Sequence, residues 1–290
     1  MTSRLALGTV QFGLRYGVAN TSGQVSSGEA AAILQQARAA GIDTLDTAIA
    51  YGESEQRLGE IGVEGWRVVS KLPAMPDDYA DVAGWVQEAV ECSLRRLNIH
   101  RLYGLLLHRS QQLLESRGED LYAALVELKD QGLVGKIGVS IYDPGELDLL
   151  WPRFQLDLVQ APFNILDRRL ETSGWLARMH QAGTEVHVRS VFLQGLLLME
   201  ADHRPEKFSR WQLLWDRWDQ WLNDQALMPV QACLGFVMSR PEINRIVVGV
   251  DNRKQLQEIL SAAEVRIPTL PATLMIEDLD LINPPRWDTL

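Results

Sequence analysis

GIDTLDTAIAYGESEQRLGE, Gly41 to Glu60, joins an apolar run to a polar helical segment through a short loop. The run TLDTA has the composition of a buried strand, yet it carries Asp46. A carboxylate stranded in an apolar interior costs several kcal/mol, so Asp46 requires a cation or hydrogen-bond donors close by. Tyr51 stands in the loop that follows.

A strand, a loop and a helix make one βα unit, and the chain repeats it. Short β-branched or leucine-rich runs recur at LALGT (5–9), TLDTA (44–48), RVVSKL (67–72), LYGLLLH (102–108), KIGVS (136–140), LDLVQAP (156–162), EVHVRSVF (185–192) and INRIVVGV (243–250). Between them, helical periodicity is read over Ser26–Ala40, Tyr79–Leu97, Leu121–Asp130, Pro144–Leu150 and Arg253–Ala263. Ser26 and Glu29 have the spacing of a capping box, and Gly41 ends the helix they open. This alternation predicts an α/β fold, a closed (β/α)8 TIM barrel, as a single domain over residues 1–290 with a C-terminal tail at 266–290 wrapping the surface. An open doubly wound sheet would want a Gly-rich phosphate turn with an acidic residue beyond it, and GTVQFGLRYG lacks that spacing.

Composition narrows the function. A hydrophobic content of 46% over 290 residues supplies a large core, and a net charge of -10 opposes nucleic-acid and anionic-membrane partners. No apolar run approaches the roughly 18 residues of a membrane span, and MTSRLALGTV reads straight into a strand without signal-peptide features. Cys92 and Cys233 lie in helical stretches and read as buried thiols, which fits a reducing cytoplasm. The histidines are scattered, so no metal site is expected. Trp211, Trp215, Trp218 and Trp221 form a helical stripe that packs on the barrel or a partner subunit, or else walls the active-site mouth. A monomer or homodimer is expected.

In such a barrel the carboxyl ends of the strands converge on one face. That places Asp46, Lys71 and His108 together at the ends of three consecutive strands, with Tyr51 beside them. Singly, each has a structural reading: a turn carboxylate, a snorkelling lysine, a satisfied core histidine. As a set they make an acid–base site. Asp46 pairs with Lys71, the ammonium favours ionisation of the Tyr51 phenol, and His108 donates a hydrogen bond to a substrate carbonyl oxygen. A proton donor beside an oxyanion site suits carbonyl reduction once a cofactor supplies hydride.

These residues carry a resemblance to the aldo-keto reductase family. GIDTLDTAIAYGESEQRLG is similar to its G-x-x-x-x-D-T-A-x-x-Y-G-x-S-E-x-x-L-G signature, and LALGTVQFG resembles its first strand. GLVGKIGVS, LVQAPFNILDRR, VRSVFLQGLL and IVVGVDNRKQLQEIL resemble the motifs of strands five to eight, so the likeness covers nearly the whole chain. The resemblance implies that Asp46, Tyr51, Lys71 and His108 are a catalytic tetrad and that a nicotinamide dinucleotide binds in extended form. It implies that Ser140 and Gln160 hold the carboxamide, with Ile141 where many members have Asn. Arg189 falls where an aromatic ring usually stacks on the nicotinamide, and its charge should disfavour the oxidised, cationic form. Ser190, Phe192, Gln194, Gly195 and Leu196 would line the pyrophosphate side. Around the 2′-phosphate pocket the resemblance brings Gly249, Asn252, Arg253, Lys254, Gln255 and Glu258. Gly249 and Gln255 stand where Lys and Arg are frequent, Arg253 and Lys254 are near enough to substitute, Asn252 can cap the helix that follows, and Asp251 would repel a phosphate if it faced the site. NADP(H) is the expected cofactor, with NAD(H) the alternative. Gln11 is expected to face the pocket, Trp85 a buried helix face, and Asn164 the cofactor or Gln160. The polar loop after His108, RSQQLLESRGED, would shape substrate choice.

The expected activity is reduction of an aldehyde or ketone, sugar-derived compounds included, by an NADP-dependent enzyme of the cytoplasm. A cofactor-sensing regulatory subunit on the same fold is the alternative. A lyase using Lys71 as a Schiff base is a third, disfavoured because Asp46 keeps the amine protonated.

Overall fold

A computed structural model describes residues 4–76 and 80–290. Among these, eight parallel strands close into a barrel in sequential order, β1 (Leu5–Gly8), β2 (Thr44–Asp46), β3 (Arg67–Leu72), β4 (Leu102–Leu107), β5 (Val134–Ser140), β6 (Leu158–Pro162), β7 (Glu185–Arg189) and β8 (Arg245–Gly249), with β8 pairing back onto β1. The fold is the (β/α)8 barrel that the alternation predicts. Each apolar run forms its strand because both strand faces are buried, one against helices and one inside the barrel.

The helices are α1 (Val10–Gly13), α2 (Ser27–Ala39), α3 (Ser54–Ile61), α4 (Val82–Leu97), α5 (Gly118–Asp130), α6 (Glu146–Leu150), α7 (Arg169–Thr172), α8 (Trp175–Gln181), α9 (Gln212–Gln225), α10 (Pro229–Met238), α11 (Arg253–Ala262) and α12 (Leu279–Ile282). Helix α4 starts at Val82; Tyr79, read as its beginning, lies outside the described residues, as do Met1 to Ser3. Trp85 sits on α4, partly buried against the core. Ser26 accepts from the Glu29 amide as expected, but the Glu29 carboxylate does not close the capping box; it turns to α11 and accepts from the Arg253 amide at 2.7 Å.

The barrel interior is layered, because residues two apart on a strand share a face. Val69, Leu106 and Leu158 form an apolar cluster separate from the main core. By alternation they lie one layer beneath Lys71, His108 and Gln160, so a dry plug floors the site. Below it Tyr103, Lys136 and His187 converge on the Glu185 carboxylate, whose pKa is held far below its usual value by those bonds despite burial.

Trp211, Trp215, Trp218 and Trp221 are all buried, with Trp215 donating to the Phe208 carbonyl at 2.9 Å. The stripe packs α9 against the segment before it and the C-terminal tail, and none of its tryptophans lines the groove at the barrel mouth. The tail does more than wrap the surface: Leu274, Leu281, Ile282 and Trp287 are buried, and Trp287 meets Phe208 edge-on at 4.8 Å. Cys233 is buried in α10, which raises its thiol pKa, whereas Cys92 on α4 is only half-buried; both are free. Among the described residues no helix is long and apolar enough to cross a membrane.

Candidate active site

Asp46 ends β2, Lys71 is the penultimate residue of β3, and His108 follows β4. Lys71 Nζ donates to Asp46 Oδ1 at 2.7 Å and to the Thr47 carbonyl at 2.9 Å. It reaches Tyr51 Oη at 3.5 Å. Gln160 Nε2 donates to the other carboxylate oxygen of Asp46 at 2.6 Å. The buried carboxylate therefore has the partners its burial demands. Burial alone would lower the Lys71 pKa, but Asp46 and Tyr51 reverse this and the net shift is upward. The amine is a fixed cation, which removes the nucleophile that a Schiff-base lyase needs.

His108 meets Tyr51 edge-to-face, with ring centroids 6.0 Å apart. Burial, with the charges of Lys71 and Arg189, lowers its pKa to about 4. Near neutrality it is an uncharged imidazole with one N–H to offer. Phenol, ammonium and imidazole thus border one small volume at the top of the barrel.

The rest of the signature builds the platform under Tyr51. The Ser54 hydroxyl donates at 2.9 Å to both the carbonyl and the hydroxyl oxygen of Thr9, and lies 3.1 Å from the Thr47 hydroxyl. Glu55, 1% exposed, accepts from Ser70 and Ser93 at 2.6 Å and from Arg96 at 2.6 and 2.9 Å. It ties α3 to β3 and α4. A Cβ on Gly13 would lie 1.7 Å from the Tyr51 carbonyl oxygen, so α1 presses its bare backbone against the Tyr51 loop. Sequence reading passed over Ser54, Glu55 and Gly13, although all three carry the local signal of polar or glycine residues inside a long motif.

A groove leads from Asp46 and Tyr51 along Gly8 to Gln11 and Ser190 to Gly195, and ends at Asp251, Gln255 and Glu258. Arg189, Ser190, Phe192, Gln194, Gly195, Gly249, Gln255 and Glu258 line it. Leu196 does not: it is fully buried. Ser140 and Gln160 lie at the strand ends, 3.4 Å apart between Oγ and Oε1, with Gln160 engaged on Asp46. Asn164 donates its side-chain amide to the Ser190 carbonyl at 3.0 Å and accepts from the 166 and 167 amides, with no hydrogen bond to Gln160. Arg189 packs over the Tyr142 ring at 4.4 Å and donates to the Ile141 carbonyl at 3.0 Å.

Asn252 caps α11 as expected, its Oδ1 accepting from the Gln255 amide at 3.0 Å. Arg253 pairs with Glu29 at 3.5 Å and Lys254 with Glu258 at 3.9 Å, and neither lines the groove. Tyr16 and Asn20, which sequence reading missed, border it; burial together with Tyr51 pushes the Tyr16 phenol up to about 12. The backbone from Gly17 to Asn20 straddles the groove: the Val18 amide donates to the Gln194 carbonyl at 3.1 Å and Asn20 Nδ2 to Asp251 Oδ1 at 2.9 Å.

Residues 4–272 match the family model described as "Aldo/keto reductase family". A D-threo-aldose 1-dehydrogenase of a Pseudomonas species is 25% identical over 297 aligned positions, covering 88% of this chain and 90% of that enzyme. The NADH-specific methylglyoxal reductase of Escherichia coli K12 is 28% identical over 208 positions, 66% of this chain and 63% of the enzyme. Among solved structures, the holo form of the aldo-keto reductase AKR11C1 from Bacillus halodurans superposes with a TM-score of 0.72 at 21% identity, over 93% of this chain and 89% of that one, a likeness of fold.

Proposed function

The chain belongs to the aldo/keto reductase family, and on that premise we propose that it reduces an aldehyde or ketone to the alcohol, reversibly, with Tyr51 as the proton donor. Relatives named for methylglyoxal and for D-threo-aldoses favour small polar carbonyl compounds, sugar-derived ones included. The single observation that carries the reading is the Lys71 ammonium held between Asp46 at 2.7 Å and Tyr51 Oη at 3.5 Å.

Members of this family use nicotinamide cofactors, and the groove fits an extended dinucleotide. It runs from the tetrad to Glu258, and within it Gln11 Oε1 is a buried acceptor without a partner. Ser140 and Gln160 would hold the carboxamide, and Ser190, Phe192, Gln194 and Gly195 the pyrophosphate side. A bound reduced nicotinamide would supply the hydride. The chain's own residues do the rest. His108, neutral, donates its N–H to the carbonyl oxygen and orients it. Tyr51 hands its proton to that oxygen as negative charge builds there. The Lys71 cation sits beside the oxygen that the departing proton leaves negative, and Asp46 keeps Lys71 charged. The two free cysteines fit work in a reducing cytoplasm.

The test is a spectrophotometric screen of dinucleotide consumption against a panel of aldehydes and ketones. Turnover on small polar carbonyls is expected. Tight dinucleotide binding with no turnover on any carbonyl would favour a cofactor-sensing role instead.

A further inference from the structure

Hydride transfer has to occur beside Tyr51, so a dinucleotide lying in this groove must place its adenosine at the opposite end. That end is lined by Asp251, Gln255 and Glu258, and among the described residues no lysine or arginine lines it. Two carboxylates there accept hydrogen bonds from ribose hydroxyls and repel a 2′-phosphate of nearly two negative charges. We propose that the groove is built for NAD(H) in preference to NADP(H), with Asp251 and Glu258 as the residues that discriminate; the inference rests on the reductase reading.

The neighbouring cations do not line this end of the groove. Arg253 faces Glu29 at 3.5 Å. Lys254, 88% exposed, has Glu258 itself as its partner at 3.9 Å. Arg189 is at the reactive end, packed over Tyr142. Arg15, on the loop before Asn20, donates to the Asn20 carbonyl at 3.4 Å. Much of the start of α11, where an anion would bind, is already engaged. The Asp251 amide donates to Gln255 Oε1 at 2.7 Å, the Arg253 amide to Glu29 at 2.7 Å and the Gln255 amide to Asn252 at 3.0 Å. Position 249 is glycine and supplies no donor side chain, and the Gln11 amide occupies the space where one would start, its Nε2 2.4 Å from the place of a Cβ. Among the described residues, the charged groups that line this wall are the Asp251 and Glu258 carboxylates, and Gln11 Oε1 is buried there without a partner; the donors beside them include the uncharged side-chain amides of Gln11 and Gln255. Two carboxylates facing no lining cation favour hydroxyl donors over a phosphate. Asn20 holds Asp251 in place across the groove at 2.9 Å.

Calorimetric titration of the purified protein with NADH and with NADPH tests this without reference to turnover. NADH should bind at least about tenfold more tightly. Glu258→Gln and Asp251→Asn should each narrow that ratio by about threefold or more, chiefly by tightening NADPH, and raising the salt concentration should narrow it too. Glu258 lies on the exposed face of α11, so its variant does not put folding at stake. NADPH binding as tight as NADH, or a ratio unmoved in both variants, overturns the proposal. Preferential NADH binding with no carbonyl turnover upholds it and removes only the reductase assignment.

Discussion

Lys71 and Asp46 are 1% and 4% exposed, so removing either partner leaves a charge stranded in the barrel. Lys71→Met should cost about 3–5 kcal/mol in denaturant unfolding, and adding Asp46→Asn should recover more than half of that loss while activity stays absent. A double variant no more stable than Lys71→Met would mean the pair is not what holds these side chains. His108 offers a second measurement. Its pKa is about 4 in the folded protein against 6.5 for the free side chain. The unfolded chain takes up a proton first as pH falls, so stability drops between pH 6.5 and 4 by up to about 3 kcal/mol from this residue. In His108→Gln that component should vanish, and an unchanged acid profile would contradict a buried neutral imidazole. The cluster of Asp46, Lys71 and His108 was legible in sequence because an ionisable residue at the end of an apolar strand stands out. The fate of Arg253 was not, since Glu29 approaches it from a helix more than two hundred residues away in sequence.

Helix α3 explains why the Gly41–Glu60 motif is so long. Its Ser54 and Glu55 do no chemistry; they fasten the Tyr51 loop to β1, β3 and α4 through buried hydrogen bonds. Glu55→Ala strips Ser70, Ser93 and Arg96 of their shared acceptor, and a loss of about 3 kcal/mol is expected in chemical denaturation. A loss under about 1 kcal/mol would show that the Glu55 hub is ornamental. Element boundaries followed from apolar runs and caps wherever burial dictated them. The missed contributions, such as Tyr16 and Asn20, lie on a loop whose path depends on contacts with Gln194 and Asp251 that no local pattern encodes. The tryptophan stripe illustrates the same limit: period gives the face of α9, and only packing says what covers it.

The whole barrel works as a scaffold that floors its mouth with apolar side chains and gathers charge on top. Sequential strand order brings Asp46, Lys71 and His108 onto neighbouring strands, which is why alternation alone located the site. On the proposed function the long groove leading away from it would separate two jobs, proton delivery at one end and dinucleotide selection at the other, and variants at one end should then leave the other intact. That separation permits the most direct test of the central claim, that Tyr51 delivers the proton. Single-turnover carbonyl reduction should be compared in wild type and Tyr51→Phe at saturating reduced dinucleotide, with dinucleotide affinity measured in parallel. The account predicts affinity within about twofold of wild type and a rate at least about 100-fold lower. A Tyr51→Phe protein that reduces the carbonyl at the wild-type rate would contradict it.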